Sequence, residues 1–97
     1  MAGIVYFVQD STFNFTKIGH TKGPIKDVLE KLQFGNPITL TVYKTIKCAS
    51  HCPSEQIEHH LHNLFAVYHI RNEWFEITKS QIDEACAVID SEIKKTR

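Results

Sequence analysis

The segment TKIGHT (residues 16–21) sets Lys17 and His20 on either side of Gly19 at the end of a short apparent strand. A glycine at a strand end lets backbone approach a bulky ligand closely, and cationic side chains beside it suit an anion such as phosphate. Taken singly, Lys17 is a solvated strand lysine and His20 a surface loop histidine. Together they describe one wall of an anion site. Glu58 and His62 lie four residues apart in SEQIEHHLHNL and so share one helical face beside an apolar stripe. That pair admits three readings: a metal site, an acid–base couple or an exposed helix pair. For His62 a structural or supporting role is favoured, because imidazole suits zinc better than magnesium. His59 and His60 read as solvated. Tyr6, within GIVYFV, is by itself a sheet tyrosine that packs its ring and shows its hydroxyl to water.

A rival constellation is Cys48, His51, Cys52, His59 and His62, which invites a zinc reading and a protein-interaction adaptor as its function. Its spacing, C-x3-C-x6-H-x2-H, departs from the finger pattern, whose cysteine-to-histidine gap is about 12 residues. Cysteines at the end of a strand are more often small buried apolar groups.

The elements that position these residues follow from periodicity. GIVYFV (3–8) is a compact β-branched and aromatic run that predicts a strand, the turn formers of DSTFN (10–14) follow, and FTKIG (15–19) resumes strand character as a hairpin. After Gly23-Pro24, Ile25, Val28, Leu29 and Leu32 fall on one face of a predicted helix, which FGNP (34–37) ends. ITLTVYKTIK (38–47) alternates as a strand. Pro53 suits a helix start, and Ile57, Leu61, Leu64, Phe65 and Tyr68 extend an apolar stripe through SEQIEHHLHNLFAVY. NEWFEIT (72–78) reads as the last strand, with Trp74 and Phe75 on alternate sides. Thr78 and Gln81 make a capping-box pattern before a helix that turns Ile82, Ala85, Cys86, Ile89 and Ile93 inward. The order ββαβαβα predicts an α+β fold, a small mixed or antiparallel sheet flanked by helices, as one domain over residues 1–97.

Bulk composition sets bounds. The 97 residues suit one core, and 42% hydrophobic with 23% charged residues is the composition of a globular chain. Lysines plus arginines equal aspartates plus glutamates at 11 each, so any basic site must be local. Three cysteines leave an odd thiol, and no signal peptide precedes the first strand, which together predict a soluble intracellular protein without disulfides. No stretch approaches the roughly 20 apolar residues that span a bilayer, and no membrane partner is expected.

VYFV with Tyr6, then TKIGHT, then E-x-x-L-H from Glu58 to His62 just before NEWF, stand in an order and spacing that resembles the GIY-YIG endonuclease superfamily. The likeness is to its short phage, bacterial and large-virus branch, in which K-I-G replaces Y-I-G. LQFGNP (32–37) looks like that branch's loop after the first helix, and EWF (73–75) like the segment after its second. The resemblance spans residues 3–78. It implies hydrolysis of a phosphodiester in DNA or RNA with Mg²⁺ or Mn²⁺ held at Glu58 and waters. Tyr6 matches the first motif tyrosine, which positions or deprotonates the water. Lys17 stands at the second tyrosine's place as a phosphate contact, and His20 where a basic or proton-shuttling residue is often found. Asn72 is placed like the late asparagine of some members. The motif glycine is Gly19, and Lys22 and Lys26 are substrate-binding candidates.

One departure matters. The helix arginine that clamps the phosphate in that superfamily falls at Val28, which supplies neither charge nor hydrogen bonds and simply extends an apolar face. Lys22, Lys26 and Lys31 are nearby cations, but Lys26 points roughly 200° around the helix from Val28. Loss of a charge-stabilising donor costs about 10²–10³ in rate. The alternative is therefore a nucleic-acid-binding module that keeps the fold without turnover. An exposed Trp74 would stack a base rather than pack in the core. The terminal KKTR (94–97) suits the last helix through its dipole, with a phosphate contact as the lesser reading. A homodimer is compatible with all of this, and no residue argues for one.

Overall fold

The computed structural model describes residues 3–95, so Thr96 and Arg97 of the KKTR tail lie outside the described residues. In chain order the elements are β1 (Ile4–Asp10), β2 (Thr16–Thr21), α1 (Ile25–Gln33), β3 (Leu40–Lys47), α2 (Ser54–Leu64), β4 (His69–Arg71), β5 (Trp74–Phe75) and α3 (Lys79–Lys95). The strands form one five-stranded sheet in the order β3-β1-β2-β5-β4, and every pairing is antiparallel. This is the α+β architecture that the strand and helix periodicities predict.

Strand β1, paired on both edges, is buried along nearly its whole length, which is why its sequence is a continuous apolar run instead of an alternating one. Side chains on its two faces enter separate cores. Val5 and Phe7 join Ile18, Ile46 and Phe75 against Ile57 and Leu61 of α2 and Ile82, Ala85, Cys86 and Ile89 of α3. Tyr6 and Val8 join Leu40 on the other face, covered by Ile25, Val28, Leu29 and Leu32 of α1 and by Trp74. Full burial of each such aliphatic or aromatic side chain contributes about 1.5–3 kcal/mol, so the alternation along β1 is what holds helices on both sides. Trp74 and Phe75 divide between the two cores, as their adjacency in a strand requires.

Local chemistry fixes the connections. The Asp10 carboxylate accepts the backbone N–H groups of Thr12, Phe13, Asn14 and Phe15, and Asn14 turns with φ +60°, so the β1–β2 turn is built by one acidic side chain. The capping box is formed in both directions: Gln81 N–H donates to Thr78 Oγ1 at 3.1 Å, and Thr78 N–H donates to Gln81 Oε1 at 2.8 Å.

The segment after α2 departs from expectation. The helix stops at Leu64, and Ala66–Tyr68 form a single 3-10 turn. The expected strand over 72–78 is reduced to Trp74–Phe75, and His69–Arg71 supply a strand that periodicity does not reveal. The cause is Asn72, whose φ of +53° places it in the left-handed region and folds the chain back on itself. A hairpin replaces a helix end and a longer strand. No helix among the described residues is long and apolar enough to cross a membrane.

Candidate functional site

Tyr6 and Gly19 are cross-strand partners on β1 and β2, and Tyr6 lays its ring across the space a side chain at Gly19 would fill. A β-carbon at position 19 would fall 2.5 Å from Cζ and 2.9 Å from Cε1 of the ring, and nearer still to the hydroxyl. The glycine therefore lets the phenol reach across β2 to that strand's outer edge. That edge is only half covered by strand: β5 pairs with Thr16 and Lys17 alone. Beyond them α2 takes over. His62 donates from Nε2 to the Ile18 carbonyl at 2.9 Å, and one turn earlier Glu58 Oε1 lies 3.1 Å from His20 Nδ1. Four residues of helix rise about 6 Å and two residues of strand advance about 6.6 Å, so an i, i+4 pair on α2 matches an i, i+2 pair on β2. Helix and strand spacing together align Glu58 with His20 and His62 with Ile18.

His62 is thus a structural clasp. Because a carbonyl only accepts, the proton of the His62–Ile18 bond sits on Nε2. The ring also packs against Phe75 at 5.1 Å between centroids. His20 is different in kind. Its Nδ1 is buried yet has no hydrogen-bond partner, since Glu58 approaches within charge-pairing distance but off the hydrogen-bonding direction. The His20 side chain is 33% exposed, and that exposure comes from its other atoms.

Lys17 is a cation of the same region, and it is paired. Its Nζ donates to Glu73 Oε1 at 2.6 Å. Glu73 lies in the β4–β5 turn, whose backbone is tied to β2 by Ile18 N–H donating to the Glu73 carbonyl at 3.0 Å. Tyr6 feels all of this. Burial chiefly, then the carboxylates of Glu73 and Glu58, push its pKa up to about 12, so the phenol is a hydrogen-bond donor at neutral pH. Glu58 and Glu73 act on one hydroxyl from two different elements. Register places Tyr6, Gly19 and Lys17 on the α1 face of the sheet and His20, with its neighbour Glu58, on the α2 face, and the influence of Glu58 on the Tyr6 phenol links the two groups at the open edge of β2.

A family model for the T5orf172 domain matches residues 3–90. The chain belongs to the T5orf172 domain family. That family is associated with phage endonuclease-like folds and suggests a nuclease-like or nucleic-acid-binding module. No curated protein and no solved structure gives a significant match. The matched T5orf172 span contains every member of both groups, from Tyr6 to Glu73.

Other candidate residues lie apart from both. Lys22 pairs with Glu55 at 3.4 Å on the surface, and Lys26 is exposed on α1. Val28, where the sequence resemblance places an arginine, is half-buried and packs with the Tyr6 core. Asn72 is exposed in the β4–β5 turn, and its carbonyl accepts from His69 Nε2 at 2.6 Å. It serves this T5orf172 domain as a turn former whose neighbour, Glu73, enters the site. Glu73 is the residue that sequence reading missed. Its only signal was adjacency to Trp74 in NEWF, because its partner stands 56 positions away.

The cysteine–histidine constellation does not gather. His51 donates from Nε2 to the Ile93 carbonyl at 3.0 Å, His62 is committed to Ile18, and the Cys48 thiol points to the Ile46 carbonyl. Among the described residues no group of three or more His, Cys, Asp or Glu side chains is disposed to hold a metal ion. The zinc reading is corrected accordingly. For a hard cation the test is different, since Mg²⁺ keeps most of its waters and asks the protein for one or two carboxylates. Glu58, 15% exposed and 3.1 Å from His20 Nδ1, would supply one carboxylate toward that demand.

Proposed function

We propose that this T5orf172 domain is a metal-assisted phosphodiesterase acting on DNA or RNA, of the GIY-YIG type, with Tyr6, Lys17, His20 and Glu58 around the scissile phosphate and Mg²⁺ or Mn²⁺ held by Glu58. The observation that carries this reading is the reach of the Tyr6 phenol across Gly19 toward the edge where α2 presents Glu58 beside His20. The charge balance supports the cation independently. Two carboxylates outweigh one ammonium, so a divalent cation would strengthen the hold on an entering phosphate.

Hydrolysis needs water oxygen to bond to phosphorus, the phosphorus–oxygen ester bond to break, and a proton to reach the departing alkoxide. The cation supplies Lewis acidity and offsets charge on the phosphate. His20, with Nδ1 buried 3.1 Å from Glu58 Oε1, would use its other ring nitrogen to take a proton from the attacking water and pass it to the departing alkoxide. Tyr6, protonated at neutral pH, donates a hydrogen bond to the water or to a phosphate oxygen. Lys17 contacts the phosphate as a point charge. With valine at position 28, turnover is expected to fall about 10²–10³ below that of a site with a charge-stabilising donor there.

Plasmid nicking tests this reading. Purified protein is incubated with supercoiled DNA, single-stranded DNA and RNA in Mg²⁺, Mn²⁺ or chelator, beside Glu58→Ala and Tyr6→Phe. Metal-dependent cleavage that both substitutions abolish supports it. Binding without cleavage supports a second reading, a nucleic-acid-binding module without turnover, which the burial of Val28 against the Tyr6 core favours.

A further inference from the structure

The Lys17–Glu73 pair is asymmetric. The lysine side chain is 15% exposed and the glutamate 40%, so the ammonium is fixed in the wall of the site while its partner stands at the rim. The backbone of Glu73 is anchored through its carbonyl to Ile18, which leaves the side chain as the part free to swing. A carboxylate and a phosphate diester present the same chemistry to an ammonium, two anionic oxygens at hydrogen-bonding distance. The charge neutralising Lys17 therefore already has the form of a ligand.

We propose that Glu73 is the resident counter-anion of Lys17 and that a nucleic-acid phosphate engages the site by displacing it, so that Glu73 sets the affinity of the site for phosphate. This rests on the nucleic-acid reading above. It also assigns opposite duties to the two carboxylates near Tyr6: Glu58 meets a cation, and Glu73 holds the place of an anion. Exchange is feasible because an ion pair with a substantially exposed partner is weak. Its cost to the incoming nucleic acid is the return of an unpaired carboxylate to the rim, where it repels the neighbouring phosphates.

The test measures binding of a short fluorescein-labelled DNA duplex by polarisation, in EDTA so that nothing is cleaved, over a range of salt. Glu73→Gln is expected to tighten binding about tenfold, as removal of a like charge from a phosphate contact does. The plot of log K against log salt should steepen by about 0.9, the increment of one phosphate contact. The added substitution Lys17→Gln should erase the gain, and Glu73→Asp, a methylene shorter, should fall between wild type and Glu73→Gln. Unchanged or weaker binding by a folded Glu73→Gln protein overturns the proposal and assigns Glu73 to holding Lys17 in place. A sulfate titration followed at the Ile18 and Gly19 amides by NMR separates this outcome from failure of the nucleic-acid reading, because it needs no nucleic acid. Saturation at lower sulfate in Glu73→Gln than in wild type supports the exchange even if neither protein binds the duplex, and equal response in both rejects it.

Discussion

The phenol of Tyr6 occupies the volume that any side chain at Gly19 would need. The two residues are directly paired on adjacent strands, and the ring is 6% exposed, roofed by α1. The glycine within TKIGHT therefore serves less as an open approach for a ligand than as a passage for a tyrosine from the neighbouring strand.

Gly19→Ala follows directly from this. The new methyl group meets the aromatic carbons at 2.5–2.9 Å, and Tyr6 is confined by α1, so ring and strand must both shift. Overpacking of this kind costs about 1–3 kcal/mol. Urea denaturation should show that loss. Any nicking activity should fall with it by more than the unfolded fraction explains, since the phenol no longer reaches the Glu58 edge. Gly23→Ala is the control: the space there is open apart from Thr21 Oγ1 at 3.8 Å.

Tyr6 also makes a pH prediction. Its folded pKa is raised from 10.0 to about 12, so the folded state holds the proton more tightly than the unfolded one. The associated stability is fully present below pH 10 and is lost as pH rises toward 12. A shift of this size corresponds to something on the order of 2–3 kcal/mol. Lysine deprotonation occurs in the same window, so the informative quantity is the difference between wild type and Tyr6→Phe. Wild type should lose more stability across that window, and its phenolate absorbance should contain a late component that Tyr6→Phe lacks. Superimposable stability profiles for the two proteins would remove the electrostatic account of this site.

His62 is predicted to act through the strand it clasps. His62→Ala leaves the Ile18 carbonyl without its donor and removes a ring from Phe75, a loss of about 1–3 kcal/mol. Its signature should be local: faster amide exchange over residues 19–21, where no strand covers the edge of β2, with Thr16 and Lys17 protected by β5 and Ile18 by the Glu73 carbonyl. Uniform acceleration across the sheet would point instead to a general core defect.

Much of this architecture is written locally. The apolar run of β1, the Asp10 turn, the helical face of α1 with Val28 on it, and the Thr78–Gln81 box each depend on residues a few positions apart. Period and turn chemistry therefore reveal them. The order of Tyr6, Lys17, Gly19, His20 and Glu58 along the chain is equally legible, as is the sharing of one helical face by Glu58 and His62.

What the tertiary structure decided was which of these groups meet. The β4–β5 hairpin has strands of three and two residues, too short to carry a period, and it exists because β2 offers an edge for β5 to pair with. Glu73 enters the site only through that hairpin. The alignment of α2 with the uncovered half of β2 likewise depends on helix and strand being brought side by side by the Ile57, Leu61, Phe7 and Ile18 core. Electrostatic and hydrogen-bonding partners are set by distance in space, and in this chain Lys17 finds Glu73, and Ile18 finds His62, across 56 and 44 positions of sequence. Sequence patterning specified the strands, helices and turns; long-range packing selected the charges that face one another.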